Sequence, residues 1–171
     1  MGWQDKIAAK SHKTAGARIQ YGALCWRMGD TGVEVLLITS RDTGRWVIPK
    51  GWPMAGLAPE AAAAEEAWEE AGVVGVMSPV CLGRYGYQKC LSVSAHIPCA
   101  VAVYGLRVAR LADKFPEMKE RNRQWFAPKE AASLVQEREL ASLIVAFVPP
   151  SEGRPAPISG DGEAETYSKR C

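Results

Sequence analysis

The order of its segments predicts an α/β domain. Three observations carry this expectation. Apolar runs of strand character alternate with Gly/Asp/Thr turns over residues 19–48. Residues 59–71 consist almost wholly of strong helix formers. Further strand-like runs then lead to two short helical stretches at 129–147.

Taken in order, residues 19–27 (IQYGALCWR) form the first strand candidate. Gly29-Asp30-Thr31-Gly32 supplies turn chemistry, and residues 33–39 (VEVLLIT) complete a hairpin. A second turn, Arg41-Asp42-Thr43-Gly44, precedes a short run at 46–49. Residues 50–58 (KGWPMAGLA) are expected to be a loop, because Gly51, Pro53 and Gly56 interrupt regular structure. Pro59 suits the first position of a helix, where its missing N–H has no partner to lose, and Gly72 is a natural stop. Strands are expected at 73–80, 82–87 and 98–108, a charged loop at 114–122, and a short strand at 124–127. Helices then follow at 129–136 and 139–147.

Residues 18–148 therefore read as the folded domain. Residues 1–17 read as a basic arm, and residues 149–171, with four Pro and three Gly, as a flexible tail. A chain of 171 residues matches one domain. Its 21 basic and 19 acidic residues leave +2, which does not favour binding to long nucleic acid. Five Cys without a CxxC pair, and only two His, argue against structural zinc. The apolar runs are too short to cross a bilayer. Scattered cysteines, read as free thiols, point to a reducing cytoplasm.

The most informative stretch is Glu65-Glu66-Ala67-Trp68-Glu69-Glu70. At about 100° per residue, its four carboxylates share an arc of roughly 140° on one helix face. No Lys or Arg lies between Pro59 and Val73 to offset them. Like charges four apart destabilise a helix, and negative charge near its C-terminus opposes the macrodipole. A solvated acidic face is the bland explanation. A hard divalent cation, which takes oxygen ligands, is the sharper one. Ala63, Ala67 and Ala71 on the other side suit close packing on a sheet.

These residues resemble the signature box of the Nudix hydrolases. Gly51 takes the first place of that box, and Glu66, Ala67, Glu69, Glu70, Gly72 and Val73 fill later places at the right spacing. Two positions depart: Leu57 stands where the family has its first Glu, and Glu65 where it has Arg. The family Arg orients a catalytic glutamate, whereas Glu65 is expected to repel Glu69. The segments Ser40-Arg41-Asp42-Thr43-Gly44-Arg45-Trp46 and Arg123-Gln124-Trp125-Phe126 are similar to the branch that hydrolyses diphosphoinositol polyphosphates and diadenosine polyphosphates.

The resemblance implies a Nudix-type α/β/α sandwich with a mixed central sheet. It implies hydrolysis of a small phosphoanhydride substrate with Mg²⁺ or Mn²⁺. Glu66, Glu70 and the backbone carbonyl of Lys50 are the implied metal ligands, and Glu69 the implied base. Glu117, Glu120 and Glu130 are reserve bases. For phosphate binding the candidates are Arg18, Ser40, Arg41, Arg45 and Arg123, with Lys50 and Arg84 near the same strand ends. Trp52 is a candidate substrate contact, while His96 reads as a surface or strand residue. The departures at 57 and 65 support a second expectation, a binding or regulatory module with little catalysis.

Overall fold

The computed structural model describes residues 16–151 and residue 171. The basic arm and nearly all of the Pro/Gly-rich tail lie outside the described residues. The strands are β1 (Arg18–Gly29), β2 (Gly32–Thr39), β3 (Trp46–Val47), β4 (Lys50–Gly51), β5 (Val73–Cys90), β6 (His96–Leu111) and β7 (Arg123–Phe126). The helices are α1 (Pro59–Ala71), α2 (Pro128–Leu134) and α3 (Arg138–Ala146). One mixed sheet runs in the order β3-β2-β1-β6-β5, with β4 also paired to β1 and β7 to β2. The β1–β6 pair is parallel, and the other pairs are antiparallel.

Period-two alternation divides the core into two faces. Ala23, Cys25, Leu36, Ile38, Ala102, Tyr104 and Leu106 point to one side, where Ala63, Ala67 and Ala71 of α1 meet them. Leu24, Val35, Leu37, Val101 and Val103 point to the other, under Ala131 of α2 and Leu140 and Ile144 of α3. Helices on both faces of a mixed sheet make the expected α/β/α sandwich. The alanine stripe lets α1 lie close to the sheet, which sets Glu66 and Glu70 against β4.

Three expectations change. Residues 73–90 form one long strand rather than two. Its register shifts at Val74/Gly75, Met77/Cys81 and Cys81/Gly83 absorb Pro79, which an edge strand tolerates. Lys50 and Gly51, expected in a loop, pair with Gly22 and Tyr21 of β1. That pairing fixes the start of the following loop against the core. Finally, the five cysteines are not all free. Cys81 is disulfide-bonded to Cys171, with Cα atoms 6.3 Å apart across 90 residues of sequence, whereas Cys25, Cys90 and Cys99 are free. No spacing rule identifies a pair so distant in sequence.

Helix α1 ends on Gly72, whose φ of 65° lies in the left-handed region and whose N–H donates to the carbonyls of Ala67 and Trp68. The Arg123 guanidinium finishes the cap. Its Nη1 donates to the carbonyl of Ala71 at 2.6 Å and its Nη2 to that of Ala112 at 2.8 Å. Its charge also sits over the Phe115 ring, 4.8 Å from the centroid.

Candidate active site

The C-terminal half of α1, the β2–β3 turn, strand β4 and the turn end of the β5–β6 hairpin surround one polar pocket of about 410 Å³. The loop between β6 and β7 closes its remaining side through Glu117 and Arg121. Of the four glutamates at positions 65, 66, 69 and 70 of α1, the structure brings three to the pocket: Glu66, Glu69 and Glu70. Glu65 is exposed and does not line it. The shared arc expected from helix geometry is thus divided between the pocket and the solvent.

Each carboxylate has a distinct setting. Glu66 rises against Gly51, where a Cβ would fall within contact distance of the carboxylate, so this place in β4 requires glycine. Glu70 is only 7% exposed. Its Oε2 accepts from the Lys50 backbone N–H at 3.4 Å, and its Oε1 faces the Arg121 guanidinium at 3.2 Å. The carbonyl of Glu69 accepts from the Glu117 backbone N–H at 3.0 Å, which ties the β6–β7 loop to α1.

Burial raises the Glu70 carboxyl to about 7. Arg121 and Lys50 work against that rise, and Glu66 and Glu117 add to it. Glu66 is raised to about 6 by burial first, then by the charges of Glu69 and Glu117. The like charges that act on Glu66 thus come from its own helix, through Glu69, and from another part of the chain, through Glu117. Burial also pulls the Lys50 ammonium below its ordinary range, with Glu70 opposing. The ammonium lies over the Tyr87 ring, 5.0 Å from its centroid.

A titration consequence follows for the metal-free protein. Both folded-state values lie above the ordinary 4.5, so folding disfavours the charged carboxylates. Below pH 4.5 this penalty is absent, because the groups are protonated in both states. It grows as pH rises through about 6 and about 7, and then levels off. Thermal melts in EDTA should therefore show stability from these groups declining between pH 5 and pH 7.5. Glu70→Gln should flatten that slope; an unchanged slope would refute the assignment.

The donor set fits a hard divalent cation in chemistry. It offers two carboxylates, one buried and one half-buried, whose charge burial disfavours, and a glycine that admits one of them to the backbone of β4. Among the described residues, no three of these side chains already close around a common point. Glu70 lines the pocket with its Oε1 paired to Arg121.

The cationic candidates divide. Ser40, Arg41, Arg45 and Lys50 line the pocket. Ser40 shapes the turn, with its Oγ 2.8 Å from Thr43 Oγ1 and accepting from the Arg45 N–H at 3.2 Å. Arg41 pairs with Glu117 at 3.1 Å, and Arg45 with Glu137 at 2.7 Å. Arg18 lies outside the lining but stacks over Trp52, 5.1 Å from the ring centroid, and Trp52 does line it. Neither Arg84 nor Arg123 lines the pocket. The Arg123 donors are directed to the end of α1, so the structure gives it a capping place rather than a phosphate-facing one. Arg123→Ala should lower stability by about 1–3 kcal/mol, since two carbonyls lose a charged donor, while leaving KM within about twofold. Urea unfolding and steady-state kinetics on the same preparation check this.

Sequence reasoning missed Arg121, Lys89, Gln20 and Tyr87, all of which line the pocket. His96, expected as a surface or strand residue, is exposed at the start of β6 and also lines it. Gln20 is 1% exposed and accepts from the Tyr87 hydroxyl at 2.6 Å, a buried polar pair that closes the pocket floor. The one signal for Arg121 was its position in a charge-rich loop; for the others there was none.

Residues 18–161 match the NUDIX domain model. Nudix hydrolase 21, chloroplastic, of Arabidopsis thaliana is 30% identical over 141 residues, covering 80% of this chain and 69% of the relative. Nudix hydrolase 12, mitochondrial, of the same organism is 34% identical over 109 residues, covering 60% of this chain and 52% of the relative. The chain thus spans about half to two thirds of the length of these relatives. Among solved structures, a C. elegans Ap4A hydrolase binary complex superposes with a TM-score of 0.60 at 20% identity, covering 75% of this chain and 93% of that one. The E. coli dihydroneopterin triphosphate pyrophosphohydrolase does so with a TM-score of 0.60 at 16% identity, covering 76% and 94%. At such identities these structures speak for the fold. The family match over most of the chain, the Arabidopsis relatives and the glutamates of α1 facing a polar pocket agree: this chain belongs to the NUDIX family and is a Nudix hydrolase.

Proposed function

We propose that the chain is a divalent-cation-dependent pyrophosphohydrolase. It would cleave a phosphoanhydride bond in a nucleoside diphosphate-linked or diphosphoinositol polyphosphate-type substrate. One observation supports this above the others: Glu66, Glu69 and Glu70 share a single pocket with Arg41, Arg45 and Lys50. Carboxylates suit the cation, and the guanidiniums of Arg41 and Arg45, which do not titrate, suit phosphate oxygens.

Glu66, Glu70 and the Lys50 carbonyl would hold Mg²⁺ or Mn²⁺, which supplies charge neutralisation and a more acidic water. Glu69, exposed at the pocket, accepts the proton of the attacking water. The water oxygen bonds to phosphorus, the bridging P–O bond breaks, and the departing phosphate keeps the electron pair. Arg41 and Arg45 hold the phosphate oxygens, while Trp52 and Arg18 flank the entrance. The solved C. elegans Ap4A hydrolase complex agrees with a dinucleoside polyphosphate as one member of this substrate class.

Among the described residues no helix is long and apolar enough to cross a membrane. The free thiols of Cys25, Cys90 and Cys99 suit a reducing compartment and the Cys81–Cys171 disulfide an oxidising one, so the cysteines favour neither.

Diadenosine polyphosphates, diphosphoinositol polyphosphates, nucleoside triphosphates and ADP-ribose, each with Mg²⁺ or Mn²⁺, form the test panel. Turnover of at least one, lost in EDTA, is expected. Tight binding without turnover across the panel would replace this reading with that of a binding module.

A further inference from the structure

Helix α1 has no basic residue in its last turn, and the position from which the family's arginine would act carries an exposed glutamate, Glu65. The carboxylates of the pocket nevertheless have an internal guanidinium. Arg121 comes from the loop between β6 and β7, and its side chain is 8% exposed. It reaches Glu70 Oε1 at 3.2 Å and Glu117 Oε2 at 3.4 Å, and donates to the Thr39 carbonyl at 3.1 Å.

The loop that carries Arg121 is fastened at both ends. The Asn122 N–H donates to Thr39 Oγ1 at 2.9 Å, the Thr39 N–H to the Asn122 carbonyl at 2.9 Å, and the Glu117 N–H to the Glu69 carbonyl at 3.0 Å. A buried, planar donor held on a fastened loop orients its acceptors instead of following them. Two of those acceptors belong to the pocket, and the third, Thr39, precedes the Ser40-Arg41 turn.

We propose that Arg121 is a positioning residue: from the β6–β7 loop it supplies the guanidinium that α1 lacks at position 65, and sets the Glu70 and Glu117 carboxylates in the geometry the pocket uses. It acts through Glu70, and the proposal rests on the reading of Glu70 as a cation ligand. A segment about fifty residues away thereby supplies the guanidinium that faces Glu70. It also couples the loop to the site: any movement of residues 117–121 shifts a carboxylate.

Mn²⁺ binding to the full chain without substrate, read by electron paramagnetic resonance, tests this apart from activity. Arg121→Ala should weaken binding about tenfold or more, the range for residues that orient a ligand. Arg121→Lys should recover part of the loss, because it restores charge but not the planar fork. Adding Arg121→Ala to Glu70→Gln should cost little beyond Glu70→Gln alone, since the arginine acts through that carboxylate. Equal or tighter Mn²⁺ binding by Arg121→Ala would overturn the proposal, as would losses that multiply in the double variant. If Arg121→Ala fails to fold, Arg121→Lys decides: weaker binding supports the proposal, and wild-type binding overturns it. Wild-type binding by Glu70→Gln would instead remove the cation reading of Glu70, so the two failures are distinct.

Discussion

Glu70→Gln should lower kcat/KM by at least about a hundredfold, because a cation ligand in phosphoryl chemistry is worth several kcal/mol of transition-state stabilisation. Glutamine keeps the size of the side chain and can still accept from the Lys50 N–H, but it loses the charge. The buried position sharpens the effect: a residue only 7% exposed has little water to take over the missing charge. Glu65→Gln is the matched control. Glu65 is exposed and outside the pocket, so its variant should stay within about twofold of the parent. Steady-state kinetics with varied Mg²⁺ decide the matter. Retained activity in Glu70→Gln would exclude Glu70 from the site, and a large loss in Glu65→Gln would show that the acidic face acts as a whole.

Gly51→Ala is the second large expected effect. The added methyl would meet the Glu66 carboxylate well inside contact distance. Strand β4 cannot retreat readily, since Gly51 is paired with Tyr21 and Lys50 with Gly22 in the middle of the sheet. The carboxylate must move instead, by about the width of a methyl group. A displacement of about 1 Å at a reacting centre costs on the order of a hundredfold in rate. The protein should still fold, because Glu66 is only half-buried and can swing toward the pocket. Near-normal melting with greatly reduced kcat is therefore the expected pattern. Near-normal kcat would mean that the Glu66 position is not used in the reaction.

Local signals were legible where one stretch of chain decides the outcome. Helix α1 was readable from Pro59, its run of helix formers and Gly72, and the observed bounds are Pro59–Ala71. The β1–β2 hairpin followed from Gly29-Asp30-Thr31-Gly32, and Gly29 indeed faces Gly32 across the pair. The strand pattern around Pro79 was misread, because register shifts are settled by the partner strand β6, not by local propensity. Arg123 shows the same limit in the site. Its neighbours Gln124, Trp125 and Phe126 were correctly read as a strand, but nothing local says that its guanidinium turns back to cap α1.

The sequence by itself determined the α/β class and the helix that carries Glu66, Glu69 and Glu70, because spacing along a helix is a property of a few adjacent residues. Only the tertiary structure decided which of the four glutamates face the pocket and that Glu117 and Arg121 join them. It also removed Arg123 from the phosphate candidates. Those outcomes depend on distances of about 3 Å between groups dozens of residues apart, and on how deeply each charge is buried, which no local pattern encodes.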